Sequence, residues 1–123
     1  EQFNLDWVES NLAGGEPAAN VQATLLALSA TSIASAIERW CGMPDELAVC
    51  GGGAHNSTLL KHLSLLLPNT RIITSDVLGI GVDWVEAAAF AWLASQTLRG
   101  LPGNLPAVTG ARGERILGAV YPR

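Results

Sequence analysis

Basic residues are scarce in this 123-residue sequence, which has one lysine (Lys61) and scattered arginines for a net charge of -4. A surface so poor in positive charge argues against nucleic acid or an anionic membrane as the main partner. Histidine and cysteine are nearly absent too, with two of each. A metal site therefore has little support, and none is expected. Cys41 ends a helical stretch and Cys50 ends a strand, so both read as free thiols of the core rather than a disulfide. No signal peptide is visible, and no apolar run approaches the ~20 residues that span a bilayer. The expected compartment is the cytoplasm. The sequence does not begin with Met, which reads as processing, truncation or excision.

The most telling shortage is of charge itself. Charged residues make up 15% of the sequence while 49% are hydrophobic, against ~25% charged in ordinary soluble domains. A chain this small has much surface for its volume and needs charge to cover it. An apolar face that belongs against another lobe or subunit is the direct implication.

Hydrophobic spacing sets the element order. Residues 1–19 hold a short helix anchored by Phe3, Leu5, Trp7 and Val8, then loop. Over residues 20–40, Leu26, Ala30, Ile33, Ile37 and Trp40 recur at steps of three and four, a helical stripe. Gly42 and Met43-Pro44 stop it. Residues 47–50 form a short buried strand, and Asn56 caps a leucine-rich helix that ends at Pro68-Asn69. Residues 71–74 form a second strand rich in β-branched side chains. The helix over residues 84–99 is apolar nearly all round and should be buried on several sides. Residues 101–123 have no clear period and read as an extended or looped tail. The resulting fold class is α/β: helix, strand, helix, strand, helix, with short parallel strands joined by a right-handed crossover. Two strands are a meagre sheet for this much helix, so the chain reads as half of something.

Three places carry candidate chemistry. Gly51-Gly52-Gly53 follows the first strand and precedes a helix, where backbone free of Cβ atoms and the positive end of a helix dipole suit a flat or anionic ligand. The competing reading is a tight turn in which side chains would clash. The run is neither a P-loop nor a convincing Gly-x-Gly-x-x-Gly. His55 beside it reads as an exposed loop histidine. Asp83 and Glu86 form Asp-x-x-Glu at a helix start, which is a capping box unless a carboxylate beside a buried Trp84 binds sugar hydroxyls. Thr74-Ser75-Asp76 and Gly79 make a polar loop at the carboxyl end of the second strand, where open α/β sheets bind ligands. No nucleophile elbow exists.

Several segments together resemble one family. They are Val21-Gln22-Ala23-Thr24-Leu25, Val49-Cys50-Gly51-Gly52-Gly53-Ala54-His55-Asn56 and Val85-Glu86-Ala87-Ala88-Ala89-Phe90-Ala91-Trp92-Leu93-Ala94. Gly103-Asn104-Leu105-Pro106-Ala107-Val108-Thr109-Gly110-Ala111 and Leu117-Gly118 continue the series. From Phe3 onward the chain is similar to the anhydro-N-acetylmuramic acid kinases. The resemblance implies a C-terminal portion of an enzyme in the sugar kinase, actin and heat-shock ATPase superfamily. It further implies a partial ribonuclease H-like lobe over residues 1–100, with residues 101–123 packing on that lobe or on an N-terminal one. ATP and Mg2+ are the implied cofactors and 1,6-anhydro-N-acetylmuramic acid the implied substrate, in a complete protein that is a homodimer. Gly51, Gly52, Gly53 and Asn56 would be the adenosine side and Glu86 a sugar-hydroxyl acceptor. The catalytic base and phosphate loops have no counterpart here. Two other readings stay open: a non-catalytic dimerisation module, and the lobe of another sugar kinase of the superfamily.

Overall fold

A computed structural model describes residues 4–121 of the chain; Phe3, one of the expected helix anchors, lies outside them. Among the described residues, five helices and two strands follow one another as α1 (Leu5–Ser10), α2 (Ala18–Cys41), β1 (Glu46–Val49), α3 (Ser57–Leu66), β2 (Arg71–Thr74), α4 (Val85–Leu98) and α5 (Pro106–Thr109). Single 3-10 turns stand at Gly52–His55 and Ser75–Leu78. β1 and β2 pair as a two-stranded parallel sheet, and α3 lies in the connection between them. The α/β order expected from periodicity is the order found, with ends shifted by one or two residues.

The chain divides into two compact units. The first comprises residues 1–47 and 56–72. Asn4 opens α1 by accepting the Trp7 N–H at 2.9 Å. In the connection to α2, the Glu16 carboxylate accepts the N–H groups of Ala13 at 2.8 Å and Gly14 at 2.9 Å. Hydrogen bonds from its own backbone N–H and from these two amides hold Glu16 below the ordinary carboxylate pKa. Gly42, at φ 72°, lets the chain leave α2 through a conformation closed to most residues.

α2 packs on α3. Its buried residues are the small Ala30 and Ala34, while α3 and its C-cap bury Leu63 and Leu67. Small alanines on α2 leave room for a close neighbour, and each leucine so buried contributes about 2 kcal/mol. The remaining members of the stripe are more open: Ile33 is exposed and so is Trp40, at 76%. Below this pair, Thr70 donates from Oγ1 to the Pro44 carbonyl at 2.7 Å, and the Arg71 N–H reaches the Asp45 carbonyl at 2.9 Å. Arg71 also pairs with Glu46. These bonds tie the start of β2 to the start of β1.

The second unit comprises residues 48–55 and 73–123, so each strand is shared between the units. Here α4 contrasts with expectation. No α4 residue is buried, and Phe90 and Trp92 are 64% and 54% exposed. The cause is one of supply, since the tail is what packs on α4 within this unit. Gln96 donates to the Pro102 carbonyl at 3.0 Å, and the Thr97 hydroxyl lies against the Leu117 carbonyl. Gly103 fits where a Cβ would stand 3.0 Å from Leu93 Cδ2 and 3.3 Å from Leu117 Cγ. Asn104 closes the tail on itself, accepting the Arg115 N–H at 2.6 Å and donating to the Gly113 carbonyl at 3.1 Å. The tail is thus looped, with one helical turn, α5, that its lack of period did not announce.

A further expectation needs correction. Cys41 and Cys50 are free thiols, but both are exposed rather than in a core. β1 is half-buried because it has a single neighbouring strand, and Cys50 lies one residue past its end. The expectation that no apolar run approaches the length that spans a bilayer counts uninterrupted runs, and a helix can be long and apolar on average without one. α2, at 24 residues, is long and apolar enough to cross a bilayer by length and composition. Its hydropathy is spread over alanines broken by Ser and Thr, so it shows no uninterrupted apolar run.

Candidate functional site at the carboxyl ends of the strands

Both strands of a parallel pair end on the same side, and the turns that follow them lie within the second unit. After β1, Gly51 takes φ 69° and donates its N–H to the Val82 carbonyl at 2.8 Å. The 3-10 turn then closes with the Ala54 N–H on the Gly51 carbonyl at 3.0 Å, and Ala54 is buried beneath it. After β2, the turn Ser75–Leu78 ends at Gly79, whose φ of 88° serves the left-handed exit. Asp76 Oδ1 accepts the Val82 N–H at 3.3 Å. Ser75 is buried, and its hydroxyl has no hydrogen-bond partner among the described residues.

Between these turns lies a polar cleft of about 370 Å3 lined by Ala54, His55, Thr74, Asp76, Asp83 and Trp84, among others. The polar loop expected after the second strand therefore does line a cleft, through Thr74 and Asp76. His55 and Asp83 meet in it, with Nε2 and Oδ1 2.8 Å apart and both side chains more than half exposed. His55 is exposed, as expected, and has no acidic neighbour in sequence. The acid lies 28 residues along the chain and is brought back by β2 and its turn. The available signal was that each residue follows the carboxyl end of one of two adjacent strands.

This pairing overturns the capping box. α4 begins at Val85, so its N-cap is Trp84, with no side-chain cap bond. Asp83 falls one position too early and gives its carboxylate to His55. Nor is Trp84 a buried neighbour, since it is 70% exposed. Glu86 stands exposed in the first turn of α4, where the helix dipole favours a carboxylate.

Of the glycines, Gly51 has a backbone reason for its identity. Gly52 does not. Its φ is not positive, and a Cβ built there meets nothing within 4 Å. The tight-turn reading therefore accounts for Gly51 and leaves Gly52 unexplained. Asn56, in the first unit, caps α3 as expected by accepting the Leu59 N–H at 3.0 Å. Among the described residues, no group of three or more His, Cys, Asp or Glu side chains is arranged to hold a metal ion.

A family model described as anhydro-N-acetylmuramic acid kinase matches residues 1–123. The anhydro-N-acetylmuramic acid kinase of Thiobacillus denitrificans is 56% identical over 126 residues, covering 99% of this chain and 34% of the relative. That of Nitrosomonas europaea is 53% identical over 122 residues, again 99% of the chain and 34% of the relative. That of Pseudomonas fluorescens is 52% identical, with the same coverage. The chain thus spans about a third of the length of the curated relatives it matches. Matched from end to end, this chain belongs to the anhydro-N-acetylmuramic acid kinase family.

Proposed function

We propose that the chain is the C-terminal third of an ATP-dependent sugar kinase and supplies the adenosine-binding wall of its cleft. The complete enzyme converts 1,6-anhydro-N-acetylmuramic acid into N-acetylmuramic acid 6-phosphate in cell-wall recycling. Water opens the anhydro bridge, O6 takes the terminal phosphoryl group, and ADP leaves. Gly51, Gly52 and Gly53 lie against the purine and ribose, with Asn56 beside them in sequence. Glu86 accepts from sugar hydroxyls. The water-activating base, the phosphate loops and the Mg2+ ligands belong to the rest of the polypeptide, for phosphoryl transfer requires charge neutralisation and the run from Gly51 to Asn56 holds no lysine or arginine. Residues 1–100 then form part of an actin-like ATPase lobe, and residues 101–123 its packing tail. The working enzyme is a cytoplasmic homodimer with no nucleic acid or membrane partner.

The observation that carries this reading is Gly52. No neighbour in the chain needs the space its Cβ would fill, so a bound molecule is the natural claimant. A module built only for dimerisation leaves that glycine unexplained. The same openness provides a clean test in the complete enzyme. Gly52→Val should fold normally and raise the KM for ATP at least about tenfold, a loss near 1.4 kcal/mol of binding, with sugar KM little changed. Normal ATP kinetics in that variant would remove the glycines from the site.

A further inference from the structure

A turn rich in glycine is a poor binding surface unless something holds it. Glycine loses more backbone freedom on ordering than any other residue, and a site left to order itself on contact spends binding energy in doing so. The turn from Gly51 to His55 is gripped at both ends by two consecutive residues. At one end the Gly51 N–H donates to the Val82 carbonyl at 2.8 Å; at the other, His55 Nε2 meets Asp83 Oδ1 at 2.8 Å. The gripping segment is itself fixed. Val82 is buried, its N–H is bonded to Asp76, and the Trp84 N–H reaches the Gly81 carbonyl at 2.9 Å. Gly52 and Gly53 lie between the two anchors.

We propose that His55 and Asp83 are positioning residues, whose hydrogen-bonded pair holds the glycine turn in the shape that receives the nucleoside. The proposal rests on the reading of that turn as the adenosine wall. The pair does not touch the reacting atoms. Its role is to hold the turn ready before ATP arrives, so its loss should be felt in ATP affinity rather than in turnover. Asp83 stands three residues before Glu86, so the same bracket also joins the nucleoside wall to the start of the helix carrying the sugar acceptor.

A double-mutant cycle in the complete enzyme tests this. His55→Ala and Asp83→Ala should each raise the KM for ATP about two- to fivefold, the worth of one exposed pair. The double variant should be no worse than either single one, because both remove the same contact. His55→Gln, which keeps a donor, should recover part of the loss, while kcat and sugar KM stay close to those of the parent. A pair that served only stability would lower Tm and leave the KM for ATP where it was, which would overturn the proposal. So would singles whose effects multiply, since His55 and Asp83 would then act separately, and so would a collapse of kcat at saturating ATP. Should the alanine variants fail to fold, a cycle of His55→Ser and Asp83→Ser, whose short side chains cannot span the gap, is read by the same criteria. Gly52→Val run alongside separates the two ideas. If it raises the KM for ATP while the pair variants do not, the bracket falls and the nucleotide wall stands; if neither changes it, the nucleotide wall falls as well.

Discussion

Gly51 holds φ at 69°, where another residue would carry a strain of about 1 to 2 kcal/mol. Its neighbour Gly52 bears no such constraint, since its φ is not positive and a Cβ there would meet nothing within 4 Å. The run of glycines was legible in the sequence. The different reasons behind its members were not, because they depend on φ and on surrounding space. Asp83 teaches the same lesson at a helix start. Asp-x-x-Glu is a sound capping signature, yet a start displaced by one residue hands the cap position to Trp84 and frees Asp83 for a histidine 28 residues away. Local spacing cannot register a partner that only tertiary folding delivers. Glu86 is left with no capping duty, which sharpens its own test. Glu86→Gln in the complete enzyme should leave Tm within about 1 °C, as exposed substitutions do, while raising the sugar KM. Unchanged sugar kinetics would remove Glu86 from the substrate.

The elements themselves were largely legible because strong periodicity and clear breakers marked them. β2 falls on residues 71–74 as read, and Asn56 caps α3 as read. Burial was less legible. An apolar pattern states that a helix needs cover and is silent on where the cover comes from. α4 is the example, with large apolar side chains left open beyond the one side its tail reaches. That contact hinges on Gly103, whose missing Cβ admits Leu93 and Leu117. Gly103→Val should crowd this seam and destabilise the tail by about 1 to 3 kcal/mol, the usual range for overpacking. Faster limited proteolysis of residues 104–121, before any loss of α2 and α3, is the expected readout. Unaltered cleavage would show that the seam does not hold the tail.

At the scale of the whole molecule, the low charge and the open α4 agree. Relatives about three times as long suggest what covers that helix. The isolated 123-residue chain should therefore show no kinase turnover, and should bind an apolar dye more strongly, mole for mole, than the complete enzyme. Measurable turnover would place a full catalytic set within these residues.

β1 and β2 extend this thought from side chains to backbone. A sheet of two four-residue strands has two outer edges, each a row of N–H and C=O groups facing away from its partner. Such an edge is a template that accepts a strand from any polypeptide presented to it. A segment joined to the chain by covalent linkage arrives at an effective concentration near the millimolar range, far above that of a second copy in dilute solution. Correct assembly and clumping thus compete for the same hydrogen bonds, and tethering is what decides between them.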